Sequence, residues 1–292
     1  MPSPEPRTIA EAIDASRDRL RGLSPTPWLD ARLLAQHITG LDASAIIAYG
    51  DSAIDARRKT RLFELTERRA RGEPVAYIVG RKSFCGLEIA VDPRALVPRP
   101  ETEELVQACL EGVRHLAKPA LADIGTGSGA IACALAHFLP DATITASDVS
   151  ADALELAAHN AQALGFADQI SFVRSDLFAD YEAGTTFDAI VANLPYVASA
   201  SEEKVDPHVA AFEPQIALEG GPDGLAAYRR LLEQAPPFLR AGGSVYLECA
   251  PGNAAALEKL AVHAFPGART RIRKDIAGLD RIVIVNLESH AA

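Results

Sequence analysis

Four residues that follow an apolar run have the types needed to hold a flat NH2 group. The run "FDAIVA" (187–192) leads into Asn193, Leu194, Pro195 and Tyr196. Because Pro195 cannot donate to a sheet ladder, we expect a strand to end here with these residues at its tip. The Asn193 oxygen and a backbone carbonyl beside Pro195 can each accept one N–H, and Tyr196 can stack on a planar guest. The alternative is a turn that merely ends a strand, with Tyr196 in the core.

A glycine-rich turn earlier in the chain is typical of a nucleotide-binding loop. The segment "ADIGTGSGAIACALA" (122–136) places Asp123 at a strand end, then a turn from Gly125 to Gly129, then an apolar helix. Glycines let the backbone approach a ligand closely, and the amides of the helix N-terminus face that ligand. Asp148, at the end of the next strand-like run, is placed to accept hydrogen bonds from both ribose hydroxyls of a nucleoside.

Two ligands fit this loop equally well. Gly125, Gly127 and Ala130 satisfy the G-x-G-x-x-G/A pattern of dinucleotide binding, which indicates an NAD-dependent dehydrogenase. The same kind of loop in class I methyltransferases holds S-adenosylmethionine, with an acidic residue, here Asp123, near the amino-acid end of the cofactor. A tight strand-to-helix turn without a ligand is the third interpretation.

A further acidic strand end follows in "VRSDLF". Asp176 can accept from an adenine amino group, while Leu177 and Phe178 offer apolar contact to the ring. Together with Asp123 and Asp148, it makes three successive acidic strand ends on one edge of one sheet. Open α/β sheets bind their ligands at this edge.

The next strand end on that edge is Asn193, and this order favours methyl transfer to a planar nitrogen. An amide nitrogen is a poor nucleophile because its lone pair is delocalised, so both NH2 hydrogens must be held to direct the lone pair at the methyl carbon. Alignment with the departing sulfur then supplies most of the rate advantage. The same oxygens balance the positive charge that develops on nitrogen. Neither a metal nor a covalent nucleophile is required, and a dehydrogenase has no use for these residues at this place.

The elements that position these residues form two parts joined by a linker. Residues 1–72 carry apolar residues at helical spacing and predict a small helical bundle. Residues 73–98 show short β-like runs around Gly80 and Gly86 and predict a β-hairpin linker. Residues 99–292 alternate strand-like runs with helix-length segments, which predicts an α/β domain with a parallel, doubly wound sheet.

Composition excludes several classes of protein. The chain has 292 residues, of which 48% are apolar and 23% charged, as in globular proteins, and it shows no secretory signal. Its four cysteines have no paired spacing, which indicates a reduced, cytoplasmic protein without a disulfide framework or metal site. The net charge of −10 argues against direct nucleic-acid binding. Residues 1–82 carry 14 basic and 11 acidic side chains, against 15 and 28 in the remainder, which suggests domains with different contacts.

The chain resembles the bacterial peptide chain release factor glutamine methyltransferases, the HemK/PrmC family. The resemblance extends over nearly the whole chain and depends most on the segment "LVPRPETEELV" (96–106), together with "DIGTGSGAIACALA", "FEPQIALEGGPDGLAAYRRLL" and "KDIAGLDRIVIV". It implies a helical N-terminal domain that helps to grip the substrate protein, a hairpin, and a class I (Rossmann-like) S-adenosylmethionine-dependent methyltransferase domain. The implied reaction is N5-methylation of the glutamine in the Gly-Gly-Gln loop of class I release factors.

The residues and the resemblance together give a predicted site. The predicted catalytic residues are Asn193, Pro195 and Tyr196, and with Leu194 they form the predicted substrate-binding set. Arg99 and Glu101 belong to a family motif that we expect to shape an active-site lid, although Glu101 also suits the first turn of a helix. The predicted cofactor-binding residues are Asp123, Gly125, Thr126, Gly127, Ser128, Gly129, Asp148, Asp176, Leu177 and Asn193.

Two departures from the family pattern leave alternatives open. The usual Asn-Pro-Pro-Tyr is Asn-Leu-Pro-Tyr here, a form that adenine-N6 methyltransferases acting on RNA also resemble. The segment "LECAPGN" departs from the glycine-rich "EIG" pattern that follows the fifth strand. An adenine-N6 methyltransferase on DNA or RNA, and a non-catalytic cofactor-binding partner of the termination machinery, therefore remain as alternatives.

Overall fold

The computed structural model describes residues 5–199 and 211–288, and these divide into two units. The first unit holds the described residues up to Arg81 together with 211–212, and the second holds the rest. The predicted domain bounds, 1–72, 73–98 and 99–292, stay a prediction.

The first unit is helical, as the apolar spacing predicted, and its core takes buried residues from five helices of the described residues. Thr8 and Glu11 form a capping box at the first helix, where the Thr8 hydroxyl accepts from the Glu11 N–H and the Glu11 carboxylate accepts from the Thr8 N–H. Gly40 ends the second helix in the left-handed region. Two short helices, α3 and α5, were not predicted. The helices are α1 (Ile9–Leu20), α2 (Pro27–Thr39), α3 (Ala43–Ala48), α4 (Ala56–Ala70) and α5 (Val75–Val79).

The predicted hairpin is present and follows directly after α5. Strands β1 (Arg81–Phe84) and β2 (Leu87–Ala90) form a two-stranded sheet. Cys85 and Gly86 connect them with φ values of 49° and 79°. Two successive positive φ angles are those of a type I′ turn, whose twist matches that of the flanking strands.

A seven-stranded sheet forms the centre of the described part of the second unit. The strand order is β5-β4-β3-β6-β7-β9-β8. The five strands β3 to β7 run parallel to one another, whereas β9 pairs antiparallel with both β7 and β8. The strands are β3 (Ala120–Ile124), β4 (Thr143–Asp148), β5 (Ile170–Arg174), β6 (Phe187–Ala192), β7 (Leu239–Glu248), β8 (Arg269–Lys274) and β9 (Asp280–Asn286).

The predicted parallel sheet is therefore correct for β3 to β7 and wrong at one side, where β9 pairs antiparallel with both neighbours. The missed strand, β8, reads "RTRIRK" and is the last in the order. This strand lies at the edge of the sheet, where Arg and Lys side chains discourage pairing with another chain. Because charged residues take the place of apolar ones, its sequence lacks the apolar alternation by which strands are recognised.

Helices cover both faces of this sheet. Helix α6 (Glu101–Val113) contacts β6 and β7, and the helix Ala254–Ala264 contacts β8 and β9. Alternate residues of one strand reach opposite faces, so Ile190 of β6 lies in a core cluster with Leu231 and Leu257 while its neighbours point away. Three further α-helices of the described residues are α7 (Ala130–Phe138), α8 (Ala151–Leu164) and Ala226–Gln234.

Candidate active site

The predicted strand ends meet at one edge of the sheet. Ile124, at the end of β3, is paired with Ser147 of β4 on one side and with Ala192 of β6 on the other. Asp148 is paired with Arg174 at the end of β5. The loops after these four parallel strands therefore open on the same side, as the sequence predicted.

The glycine loop has a backbone that side chains would not tolerate. Gly125, Gly127 and Gly129 all lie in the left-handed region, with φ of 75°, 55° and 77°. A Cβ on Gly125 would lie 2.7 Å from Leu194 Cδ2, and one on Gly129 would lie 2.9 Å from the Ala157 Cβ. The loop is thus pressed against both the helix Ala151–Leu164 and the Asn-Leu-Pro-Tyr segment, which only glycine permits.

Asp148 holds this loop from the neighbouring strand. Its Oδ2 accepts from the Gly127 N–H at 2.9 Å, and its Oδ1 accepts from the Ser150 N–H at 2.9 Å. Burial raises the pKa of the carboxyl. A carboxylate has about four acceptor positions, so Asp148 retains capacity to accept from a pair of ligand hydroxyls.

Asp123 lies beneath the loop and does not line the cavity described below. It is fully buried; its Oδ2 accepts from the Thr126 hydroxyl at 2.6 Å and from the Ala132 N–H at 3.1 Å. Its Oδ1 has no hydrogen-bond partner among the described residues. Burial raises the pKa of Asp123 to about 7. The carboxyl therefore braces the loop, and its predicted contact with a cofactor stays a prediction.

The segment after β5 divides between the cavity and the core. Asp176 Oδ2 accepts from Arg230 Nη2 at 2.7 Å, and both residues line the cavity. Leu177 also lines it and has a positive φ of 59°. We had expected Phe178 to contact a ligand in the cavity, but it does not line the cavity. Its ring stacks on Phe238 in the core, with centroids 4.4 Å apart.

One cavity connects these groups. Its volume is about 350 Å³, within the range of small-molecule sites. The segment after the undescribed residues also contributes to the wall, through Pro214, Ile216 and Glu219. The predicted site residues that line it are Gly125, Gly127, Asp148, Asp176, Leu177, Asn193, Leu194 and Pro195.

The tip of β6 is fixed by residues from three other segments. Asn193 Nδ2 donates to the Thr102 hydroxyl of α6 at 3.1 Å. The Leu194 N–H donates to the Tyr228 hydroxyl at 3.0 Å, and that hydroxyl lies 3.2 Å from the Leu194 carbonyl oxygen. Tyr228 also contacts the backbone carbonyl of Glu248. These partners fix the backbone and the amide of the tip.

Tyr196 packs against the core, and its ring does not line the cavity. Its hydroxyl lies 3.5 Å from Glu248 Oε1, and burial raises the pKa of the phenol to about 12. The predicted stacking of Tyr196 on a planar guest stays a prediction.

Three residues at the tip were not predicted from the sequence: Thr102, Tyr228 and Glu248. Glu248 ends β7, the next strand in the chain after β6. It is an acidic residue at a strand end, as Asp148 is, and this pattern could have identified it from the sequence. Burial raises the pKa of Glu248 to about 7. Thr102 lies within "LVPRPETEELV", where the sequence drew attention to its neighbours Arg99 and Glu101.

Arg99 ties the same segment to the wall of the cavity. Its Nη2 lies 2.7 Å from Glu213 Oε1, and Glu213 Oε2 accepts from the Val97 N–H at 3.2 Å. Because Pro214 and Ile216 follow directly and line the cavity, this anchor is consistent with the expected role of Arg99 in shaping a lid. Among the described residues, no comparable contact involves Glu101, which occupies the first turn of α6.

The residues present fit S-adenosylmethionine. The left-handed glycines allow the backbone to reach the cavity wall at Gly125 and Gly127, where a nucleoside with an amino-acid tail needs close approach. Asp148 keeps free acceptor capacity for ribose hydroxyls, and Leu177 offers an apolar surface beside the Asp176 carboxylate. Within the described residues, no group of three or more His, Cys, Asp or Glu side chains is arranged to hold a metal ion.

Comparison with known proteins gives the family. Residues 11–80 match the family model "PrmC N-terminal domain", and residues 104–211 match "Methyltransferase small domain". A release factor glutamine methyltransferase of Burkholderia pseudomallei (strain K96243) is 38% identical over 286 residues, covering 95% of each chain. One from Bradyrhizobium diazoefficiens is 40% identical over 258 residues, covering 87% of this chain and 86% of that one.

A solved structure supports the fold alone. The hMettl16 catalytic domain, in complex with MAT2A 3'UTR hairpin 6, has a TM-score of 0.57 at 16% identity and covers 77% of this chain and 82% of its own. In the part of the chain that the structure describes, no helix has the length and apolarity to cross a membrane. The predicted fold class, enzyme class and cofactor are confirmed: this is an S-adenosylmethionine-dependent methyltransferase with an α/β domain. The chain belongs to the release factor glutamine methyltransferase family.

Proposed function

We propose that this enzyme transfers a methyl group from S-adenosylmethionine to the side-chain amide nitrogen (N5) of the glutamine in the Gly-Gly-Gln loop of class I release factors. The observation that carries the proposal is the Asn193 carboxamide, held by Thr102 in the wall of a cavity that Gly125, Gly127 and Asp148 also line. The names of relatives that are 38–40% identical support the release factor as substrate.

The chain's own residues would orient the amide. When bound, S-adenosylmethionine would supply an electrophilic methyl group on a sulfonium: the new N–C bond replaces the S–C bond, a neutral thioether leaves, and the amide nitrogen gives up one proton to water. Asn193 Oδ1 accepts one N–H of the glutamine amide, and a backbone carbonyl beside Pro195 accepts the other. Holding both hydrogens fixes the plane of the amide and directs the nitrogen lone pair along one line. Because Tyr228 holds the backbone of Leu194, these acceptors need little reorganisation as positive charge develops on nitrogen.

Burial at the tip supports this electrostatic role. Leu194 is only 5% exposed, and Thr102 only 4%. Hydrogen bonds to a group that gains charge are stronger where water is excluded.

The wider setting is part of the same proposal. We expect the helical unit to grip the release factor, the enzyme to work in the cytoplasm, and no direct nucleic-acid binding. The net charge of −10 supports the last point, since phosphate contacts need Lys and Arg.

The test is mass spectrometry of a release factor tryptic peptide after incubation with enzyme and S-adenosylmethionine. We expect the Gly-Gly-Gln peptide to gain one methyl group, and Asn193→Ala to abolish the gain. Asn286→Ala is the matched control, since Asn286 also ends a strand and bonds a hydroxyl, that of Ser244, at 2.9 Å. It should retain wild-type turnover.

Three other outcomes would contradict the proposal. Methyl transfer only to nucleic acid would favour an adenine-N6 methyltransferase. Cofactor binding without turnover on any release factor would favour a non-catalytic partner of the termination machinery. An Asn193→Ala enzyme with wild-type turnover would refute the assigned mechanism even with the substrate correct.

A further inference from the structure

Thr102 lies directly behind the Asn193 carboxamide. Its hydroxyl accepts from Asn193 Nδ2 at 3.1 Å, and the residue is 4% exposed in the first turn of α6. A hydroxyl has one proton and two lone pairs. Because one lone pair receives the Asn193 N–H, the Thr102 proton is free to go to another acceptor.

Glu248 supplies that acceptor. It is fully buried at the end of β7, and the Thr102 hydroxyl is among the neighbouring groups that lower the pKa of its carboxyl. Tyr196 approaches Oε1 only at 3.5 Å, and Oε2 has no partner of standard hydrogen-bond geometry among the described residues. Neither Thr102 nor Glu248 lines the cavity, so neither is placed to touch a guest there.

We propose that Thr102 and Glu248 are positioning residues that turn the Asn193 carboxamide so that its oxygen faces the cavity. The first bond, from Asn193 Nδ2 to Thr102 Oγ1, measures 3.1 Å, and the inference adds a second, from the Thr102 hydroxyl to the Glu248 carboxylate. Reversing it would point the Asn193 NH2 at the NH2 of the guest, and two donors cannot bond each other. This inference rests on the proposed function, in which Asn193 Oδ1 accepts from the glutamine amide.

The direction of the chain depends on the charge of Glu248. An ionised carboxylate only accepts, whereas a protonated one can donate to Thr102, whose proton would then go to Asn193 Oδ1 and reverse the amide. The groups that face Glu248 are Thr102 and Glu101 on α6, Arg281 on β9, Tyr196, Tyr228 and the adjacent Cys249. Burial raises its pKa to about 7 against the opposing effects of Thr102 and Arg281. Methyl transfer should therefore weaken as pH falls below this value.

Two variants of Thr102 test the hydroxyl. Thr102→Val keeps the shape and removes the hydroxyl, and Thr102→Ser keeps the hydroxyl. We expect Thr102→Val to lower kcat by about 10- to 100-fold, the effect of leaving one buried amide unoriented. S-adenosylmethionine affinity, measured by calorimetry, should be unchanged, and Thr102→Ser should restore most of the rate. A Thr102→Val enzyme with wild-type kcat, or a Thr102→Ser enzyme as impaired as Thr102→Val, would overturn the proposal.

Glu248→Gln provides an independent readout if Thr102→Val fails to fold. Its side chain cannot titrate, so the loss of kcat on the acid side of the pH profile should disappear. An unchanged acid limb in Glu248→Gln would refute the inference. The proposed function fails separately: in that case the wild-type enzyme itself would leave the release factor peptide unmethylated at every pH.

Discussion

Gly125 couples the cofactor loop to the tip of β6, so its replacement by alanine should impair both. The residue has a φ of +75°, and a Cβ built on it would lie 2.7 Å from Leu194 Cδ2. Both residues line the cavity. The substitution therefore tests whether close contact between these two segments matters for the site.

The cost has two physical parts. A non-glycine residue in the left-handed region costs about 1–2 kcal/mol of folding free energy. The 2.7 Å contact must also be relieved, and Leu194 is 5% exposed, so its side chain has little room to move. Overpacking of this kind costs about 1–3 kcal/mol. Together the two parts destabilise the protein by about 2–5 kcal/mol.

Gly165→Ala separates the two parts. Gly165 ends α8 with a φ of +82°, and a Cβ there would meet no atom within 4 Å. The control therefore pays only the conformational cost of about 1–2 kcal/mol. It should leave cofactor binding and turnover unchanged, because Gly165 does not line the cavity.

Three measurements are needed for each variant. Urea unfolding gives the stability, calorimetric titration gives the affinity for S-adenosylmethionine, and an assay on release factor gives the turnover. We expect Gly125→Ala to lose more stability than Gly165→Ala. We also expect it to bind cofactor about tenfold or more weakly, which is a loss of about 1.4 kcal/mol of binding free energy. Equal losses of stability in the two variants, with wild-type cofactor affinity in Gly125→Ala, would refute this reasoning.

Two further predictions concern carboxylates of the site. The pKa of Asp123 in the folded protein is about 7, above its ordinary value of 3.8. Between these pH values the folded state therefore binds more protons than the unfolded state. Stability should fall as pH rises from about 4 to 7, by up to about 4 kcal/mol. Urea unfolding at pH 5 and pH 8 should show a smaller fall for Asp123→Asn; an equal fall in the two proteins would contradict the assigned burial effect. Asp176 and Arg230 form a half-exposed ion pair that contributes less than about 1 kcal/mol to stability. Calorimetry should therefore show weaker S-adenosylmethionine binding by Asp176→Ala but not by Arg230→Ala, and the unfolding of both variants should match that of the wild type. Equal affinities in the wild type and both variants would show that Asp176 does not belong to the cofactor site.

Sequence reasoning predicted the edge of the sheet well because that edge follows from local pattern. Strands β3 and β6 are short apolar runs followed directly by Gly125 and by Asn193, and β4 ends at Asp148; parallel strands bring such ends together. Gly125 to Gly129 needed no tertiary information either, since their positive φ angles are a local property.

Tertiary contacts decided the rest. Asp123 lies one residue before the end of β3 and Asp148 ends β4, yet Asp123 is buried under the loop while Asp148 lines the cavity. Phe178 beside Leu177 is apolar in the same way, but it stacks on Phe238, which is distant in the chain. Spacing along the chain cannot separate such neighbours, because the difference lies in what packs against each one.

Leu194, where the family usually has proline, shows how such packing can replace a covalent constraint. A proline ring fixes φ and has no N–H, so it stiffens the tip but cannot donate a hydrogen bond. Leu194 keeps its N–H and donates it to Tyr228 at 3.0 Å, while its side chain is buried against the position of Gly125. Tyr228 is itself fully buried and contacts the carbonyl of Glu248. The tip is therefore held by a hydrogen bond and a packed side chain in place of a ring, and the departure from the family pattern is compatible with a rigid site.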